Sequence, residues 1–197
     1  MKDAFTRDEL QLLLTRLGEL LAAHGHTVAI VVVGGAALNL LDVVSRRTVD
    51  VDVIAIGRGP ADRPPSILDV PEQLPPDLRE AAALLARDLG LPSDWINTTV
   101  TERGRLPLPP GFRDRVQWQR LGGLWLGLAG RWDLIALKLH AAVDTDVKSR
   151  HCADLVALAP TRAELEETAA WVRTRDAGTG FSEVLDQVIR HVLAHAQ

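Results

Sequence analysis

The chain has 197 residues, 47% hydrophobic and 24% charged, with a formal net charge of −4 and a single cysteine. That length buries a sizeable core in one domain, with or without a helical appendage, and the composition is that of a globular protein in water. The acidic balance argues against broad, charge-driven binding to nucleic acid or membrane, leaving open a local basic patch from Arg46, Arg47, Arg113, Arg115 and Arg120, and the lone Cys152 excludes an internal disulfide or a cysteine-based zinc site.

Thr6 and Glu9 have capping-box spacing and predict a helix whose apolar face carries Leu10, Leu13, Leu14, Leu17, Leu20 and Leu21, ending at Gly25. Charged first residues, without an apolar leader, predict no secretory signal and a cytoplasmic setting. Val28 to Val33 is continuous and β-branched, which predicts a buried strand and is far too short to cross a bilayer. Gly34-Gly35 breaks it, and a helix over Ala36–Val44 follows. Thr48–Ile56 alternates as a second strand. Residues 57–76 hold six of the 11 prolines and predict an irregular surface excursion. A helix over Asp77–Leu89 and a short strand over Ile96–Thr101 come next. Val116–Leu121 and Leu124–Leu128, joined at Gly122-Gly123, predict a β-hairpin. From Trp132 onward the pattern is helical, over 133–143, 150–158, 162–173 and 181–195, with a second capping box at Thr161 and Glu164. This order predicts an α+β class: residues 1–130 as the α/β core, and 131–197 as a helical C-terminal part packed on it.

Within Arg46-Arg47-Thr48-Val49-Asp50-Val51-Asp52-Val53, strand alternation sets Asp50 and Asp52 on one face and the three valines on the other. Strand rise separates the two carboxylates by roughly 6–7 Å at the backbone. They repel one another beside an otherwise apolar strand, and a divalent cation relieves that repulsion. Magnesium suits the pair, because it takes a few carboxylates together with phosphate oxygens and water. A solvated edge, or pairing with Arg46 and Arg47, explains the same residues without a metal.

The strand–Gly34-Gly35–helix order is a second signal. Glycine lets backbone amides approach a phosphate closely, and a helix start favours negative charge. The run has neither the GK[ST] of a P-loop nor GxGxxG, so a plain tight turn reads equally well. Strand, turn, one short helix and a strand bearing both aspartates would bring turn and carboxylates together.

The run VVVGGAALNLLDVVSRRTVDVDVI resembles the hallmark of the DNA polymerase beta-type nucleotidyltransferase superfamily, a hydrophobic-Gly-Gly/Ser turn followed by Asp-x-Asp. Its Arg46-x-Thr48-x-Asp50-x-Asp52 form resembles the bacterial branch of uncharacterised and abortive-infection toxin-like nucleotidyltransferases. Asp94-Trp95-Ile96-Asn97, and Leu134 to Leu139 followed by Arg150 and Asp154-Leu155, are similar to further segments of that branch, so the resemblance touches residues 28–158. It implies a nucleotidyltransferase-like mixed β-sheet flanked by helices. It also implies transfer of an NMP from an NTP to an acceptor, RNA, protein hydroxyl or small molecule, within a toxin–antitoxin or phage-defence setting. Asp50 and Asp52 would bind two magnesium ions; Gly34, Gly35, Arg46 and Thr48 would bind the nucleotide. Glu102 is the candidate third carboxylate, and Asn97 a weaker ligand. A catalytically inactive, antitoxin-like nucleotide- or partner-binding protein is the alternative, and a homodimer is open to either.

Lys138 lies in a predicted helix that is apolar nearly all round, so its ammonium must snorkel to solvent or meet an anion. The resemblance assigns Lys138 and Asp154 to catalysis, with Lys138 meeting nucleotide phosphate or the carboxylates; a structural salt bridge explains Asp154 nearly as well. His191 and His195, at i and i+4, have no further ligand in view for a metal.

Overall fold

Thr6 caps the first helix as its spacing predicts: Thr6 Oγ1 accepts from the Glu9 amide at 3.4 Å, and the Glu9 carboxylate accepts from the Thr6 amide at 2.8 Å. The chain is described by a computed structural model covering residues 4–102, 107–145, 148–176 and 178–196. It divides into two units, Met1–Ala129 and Gly130–Gln197.

In the first unit, helix α1 (Arg7–Ala23) buries Leu10, Leu13, Leu14, Leu17 and Leu21. Strand β1 (Val28–Val33) is buried at every position. There follow α2 (Gly34–Leu40), β2 (Val51–Arg58), β3 (Ile67–Asp69), α3 (Pro76–Leu89), β4 (Ile96–Asn97), α4 (Thr99–Glu102), α5 (Phe112–Arg115), β5 (Gln117–Leu121) and β6 (Leu124–Leu128). The strands form one mixed sheet in the order β3-β2-β1-β6-β5, with β4 pairing alongside the start of β2. β1 is central, antiparallel to β2 and parallel to β6, which is why its sequence is an unbroken apolar run. Helix α1 lies against β5 and β6, and α2 against β1 and β2. The α1 contact is close because Gly18 has no side chain: a Cβ there would collide with the Leu121 carbonyl.

Four local differences from the sequence reading have physical causes. The helix after Gly34-Gly35 stops at Leu40 rather than Val44, because Asp42 takes a left-handed conformation at φ 58. The second strand begins at Val51. Thr48 instead makes an isolated bridge with Phe5, and Val49, expected to face the same way as Val51 and Val53, is 50% exposed. The excursion after Gly57 is not wholly irregular: β2 runs to Arg58 and pairs with β3. The strand expected over Ile96–Thr101 ends at Asn97, whose side-chain oxygen accepts from the Thr99 amide at 2.8 Å and turns the chain into α4.

The second unit is helical: α6 (Arg131–Val143), α7 (Arg150–Leu158), α8 (Arg162–Arg173) and α9 (Thr179–His195). α6 contacts all three of the others, which accounts for apolar residues around most of its circumference. Thr161 and Glu164 form the expected capping box, and Arg131 Nε donates to Glu164 Oε1 at 2.7 Å. Trp132 and Trp171 meet edge to face at 6.4 Å. Among the described residues, no helix is long and apolar enough to cross a membrane.

Candidate functional site

β1 ends at Val33, and the chain turns at Gly34 with φ +70, a conformation that side-chain-bearing residues rarely adopt. The space a side chain would need there is filled by the Asp52 carboxylate, so backbone and carboxylate are in direct apposition. At Gly35 an added Cβ would lie 2.7 Å from Thr48 Oγ1 and 3.4 Å from Arg46 Nη2. The glycine turn is thus walled by Asp52, Thr48 and Arg46. Register explains the first contact: Val33 stands opposite Asp52 across the β1–β2 ladder, so Gly34 follows directly beside it.

Asn39 braces the turn. Its Nδ2 donates to the Gly35 carbonyl at 2.9 Å, and the residue is 1% exposed. Sequence reasoning passed over Asn39; the available signal was a lone amide between Leu38 and Leu40 in a stretch otherwise apolar.

Asp50 and Asp52 are both half-buried, and Val51 between them is fully buried. Asp50 precedes the strand, held by neighbours on two sides. Its backbone carbonyl accepts from Thr48 Oγ1 at 3.4 Å, and its Oδ2 accepts a long bond from Asn97 Nδ2, also at 3.4 Å. The Val51 amide donates to the Trp95 carbonyl at 2.8 Å, which locks the segment to β4. Arg47 is directed elsewhere, donating to the Ala4 carbonyl and pairing with Glu9 at 3.3 Å.

The structure therefore gathers Gly34, Gly35, Arg46, Thr48 and Asp52 around one turn, with Asp50 two residues from Asp52. Lys138 and Asp154 belong to the second unit, where Lys138 Nζ lies 2.6 Å from Asp154 Oδ2 with side-chain exposures of 8% and 1%. Of the two environments open to Lys138, it has met an anion. Glu102 closes α4, but its side chain lies outside the described residues. Among the described residues, no group of three or more His, Cys, Asp and Glu could hold a metal ion. A divalent cation at Asp50 and Asp52 would therefore need oxygens from substrate and water. Two carboxylates completed in that way are a donor set magnesium accepts.

A family model described as a nucleotidyltransferase of unknown function (DUF6036) matches residues 9–158. The match takes in the glycine turn, both aspartates and the Lys138–Asp154 pair. No curated protein and no solved structure matches the chain.

Proposed function

Because the chain belongs to this family of nucleotidyltransferases of unknown function, we propose that it moves an NMP from a magnesium-bound NTP to an acceptor hydroxyl, using the site around Gly34-Gly35. The observation that carries this reading is the apposition of Asp52 to Gly34, with Thr48 and Arg46 beside Gly35. A phosphate cradle and an anionic metal face are useful together only if one ligand spans both, and a nucleoside triphosphate with its cation is such a ligand.

Gly34 and Gly35 let Asp52, Thr48 and Arg46 close on the turn, and the Arg46 guanidinium supplies positive charge for the triphosphate beside it. Thr48 holds the Asp50 backbone, and Asp50 and Asp52 hold the cation. When bound, that cation neutralises charge on the phosphates and polarises the phosphorus under attack. The acceptor oxygen bonds to the α-phosphorus, the bond to pyrophosphate breaks, and the acceptor proton leaves to solvent or base. Positioning and charge neutralisation supply the catalysis. The Arg46-x-Thr48-x-Asp50-x-Asp52 motif supports placement in the DNA polymerase beta-type superfamily, and the acceptor falls among RNA, protein and small-molecule hydroxyls.

Calorimetric titration of each NTP, with and without magnesium, tests the reading on the wild-type chain and the Asp50→Asn/Asp52→Asn variant. Magnesium-dependent binding in the wild type, lost in a folded variant, is the expected result. Equal binding in both would sink the site assignment. Binding without transfer to any acceptor class would favour the inactive, nucleotide-sensing form of the same site.

A further inference from the structure

The face that carries the two aspartates has a third side chain, and it is neutral. Asn97 stands opposite Asp52 in the parallel β2–β4 ladder, and partners in a ladder project to the same side of the sheet. Its carboxamide is held at both ends. Oδ1 accepts from the Thr99 amide at 2.8 Å, while Nδ2 donates to the Asp94 carbonyl at 3.1 Å and to Asp50 Oδ2 at 3.4 Å. The two backbone partners fix which end is which. Reversal would set oxygen against the Asp94 carbonyl and NH2 against the Thr99 N–H. The end turned to Asp50 is therefore a donor, and an amide N–H does not ligate a cation. In this arrangement Asn97 presents a donor, not its oxygen, to Asp50.

We propose that Asn97 is a positioning residue: it orients Asp50 and keeps the bare site at two carboxylates, so that a divalent cation enters together with nucleotide phosphates rather than ahead of them. The inference rests on the nucleotide-site reading above. Carboxylate count tunes the affinity of a divalent-cation site, and magnesium sheds its water reluctantly, so two carboxylates hold it well only when phosphates complete the shell. A third carboxylate at this position would add a ligand with its own charge and remove that dependence.

The test uses the full chain and manganese as the probe, titrated without nucleotide into wild type, Asn97→Asp and Asn97→Ala, followed by titration of magnesium-NTP. Aspartate at this position still offers an oxygen to the Thr99 amide, and the alanine variant provides an independent measurement. Asn97→Asp is expected to bind bare manganese about tenfold tighter or more, from one added charge at short range. Asn97→Ala is expected to bind both bare manganese and magnesium-NTP several-fold more weakly than wild type, because Asp50 loses its brace and no ligand is gained. No gain in Asn97→Asp, or unchanged binding of bare manganese and of magnesium-NTP in Asn97→Ala, would each overturn the inference. Failure of the wild type itself to bind magnesium-NTP would overturn the underlying reading instead.

Discussion

Lys138 and Asp154 illustrate how a buried charge depends on its partner. Their separation is 2.6 Å, and neither side chain is more than 8% exposed. Replacing the lysine alone by methionine keeps the packing volume but leaves the carboxylate without its ammonium. Lys138→Met is expected to cost about 3–5 kcal/mol, and Lys138→Met/Asp154→Leu to recover most of that loss. Urea unfolding of the three proteins checks this; equal stability of the single and double variants would show that the pair is not the source. At this scale the sequence was informative where chemistry and spacing coincide. Asp50 and Asp52 are two apart beside an apolar strand, and Gly34-Gly35 stands at a strand end. Asn39 and Asn97 were less legible, because an amide's role depends on which donor or acceptor it meets across the fold.

Between elements, close approach decides more than propensity does. On an isolated helix, Gly18→Ala would be worth roughly 1 kcal/mol in favour of α1. Here the added methyl would meet the Leu121 carbonyl of the hairpin, so the variant is expected to lower the thermal midpoint. A raised midpoint would mean that α1 shifts freely on the sheet. In the helical unit, Glu164 joins α8 to α6: it caps its own helix at Thr161 and accepts from Arg131. The hydrogen bond from Arg131, followed by that from the Thr161 amide, holds the Glu164 carboxyl down at about 2, from an ordinary 4.5. Because the folded-state value is the lower one, its stabilisation is complete above about pH 4.5 and is lost as pH falls through about 2. Glu164→Gln, which keeps an oxygen for the cap, is expected to be less stable than wild type at neutral pH and to converge with it near pH 2. Parallel stability curves across that range would refute the linkage. Both capping boxes, the central strand and the hairpin were readable from spacing. The ends of α2 and β4 were not, since a left-handed Asp42 and the Asn97–Thr99 turn set them.

Across the first unit, several arginines are offset locally. Arg7, Arg58, Arg63, Arg87 and Arg113 each pair with an aspartate, and Arg120 lies over the Trp125 ring. With a net charge of −4 as well, these pairings offset much of the positive charge that would attract a polyanion. Binding of polyuridine is expected to be weak and to lose less than about tenfold between about 50 and 200 mM salt, against the 10³–10⁵ of proteins that neutralise many phosphates. A steep salt dependence would point to a concentrated basic surface and strengthen RNA as the acceptor. What the sequence determined by itself was local: apolar periodicity, glycine punctuation, capping pairs and the two aspartates, all encoded within a few residues by backbone geometry. Only the tertiary structure decided which aspartate lies against Gly34, that Lys138 meets Asp154, and that Asn97 turns a donor toward Asp50. Those relations depend on strand register and helix packing, which join residues 16 to 47 positions apart.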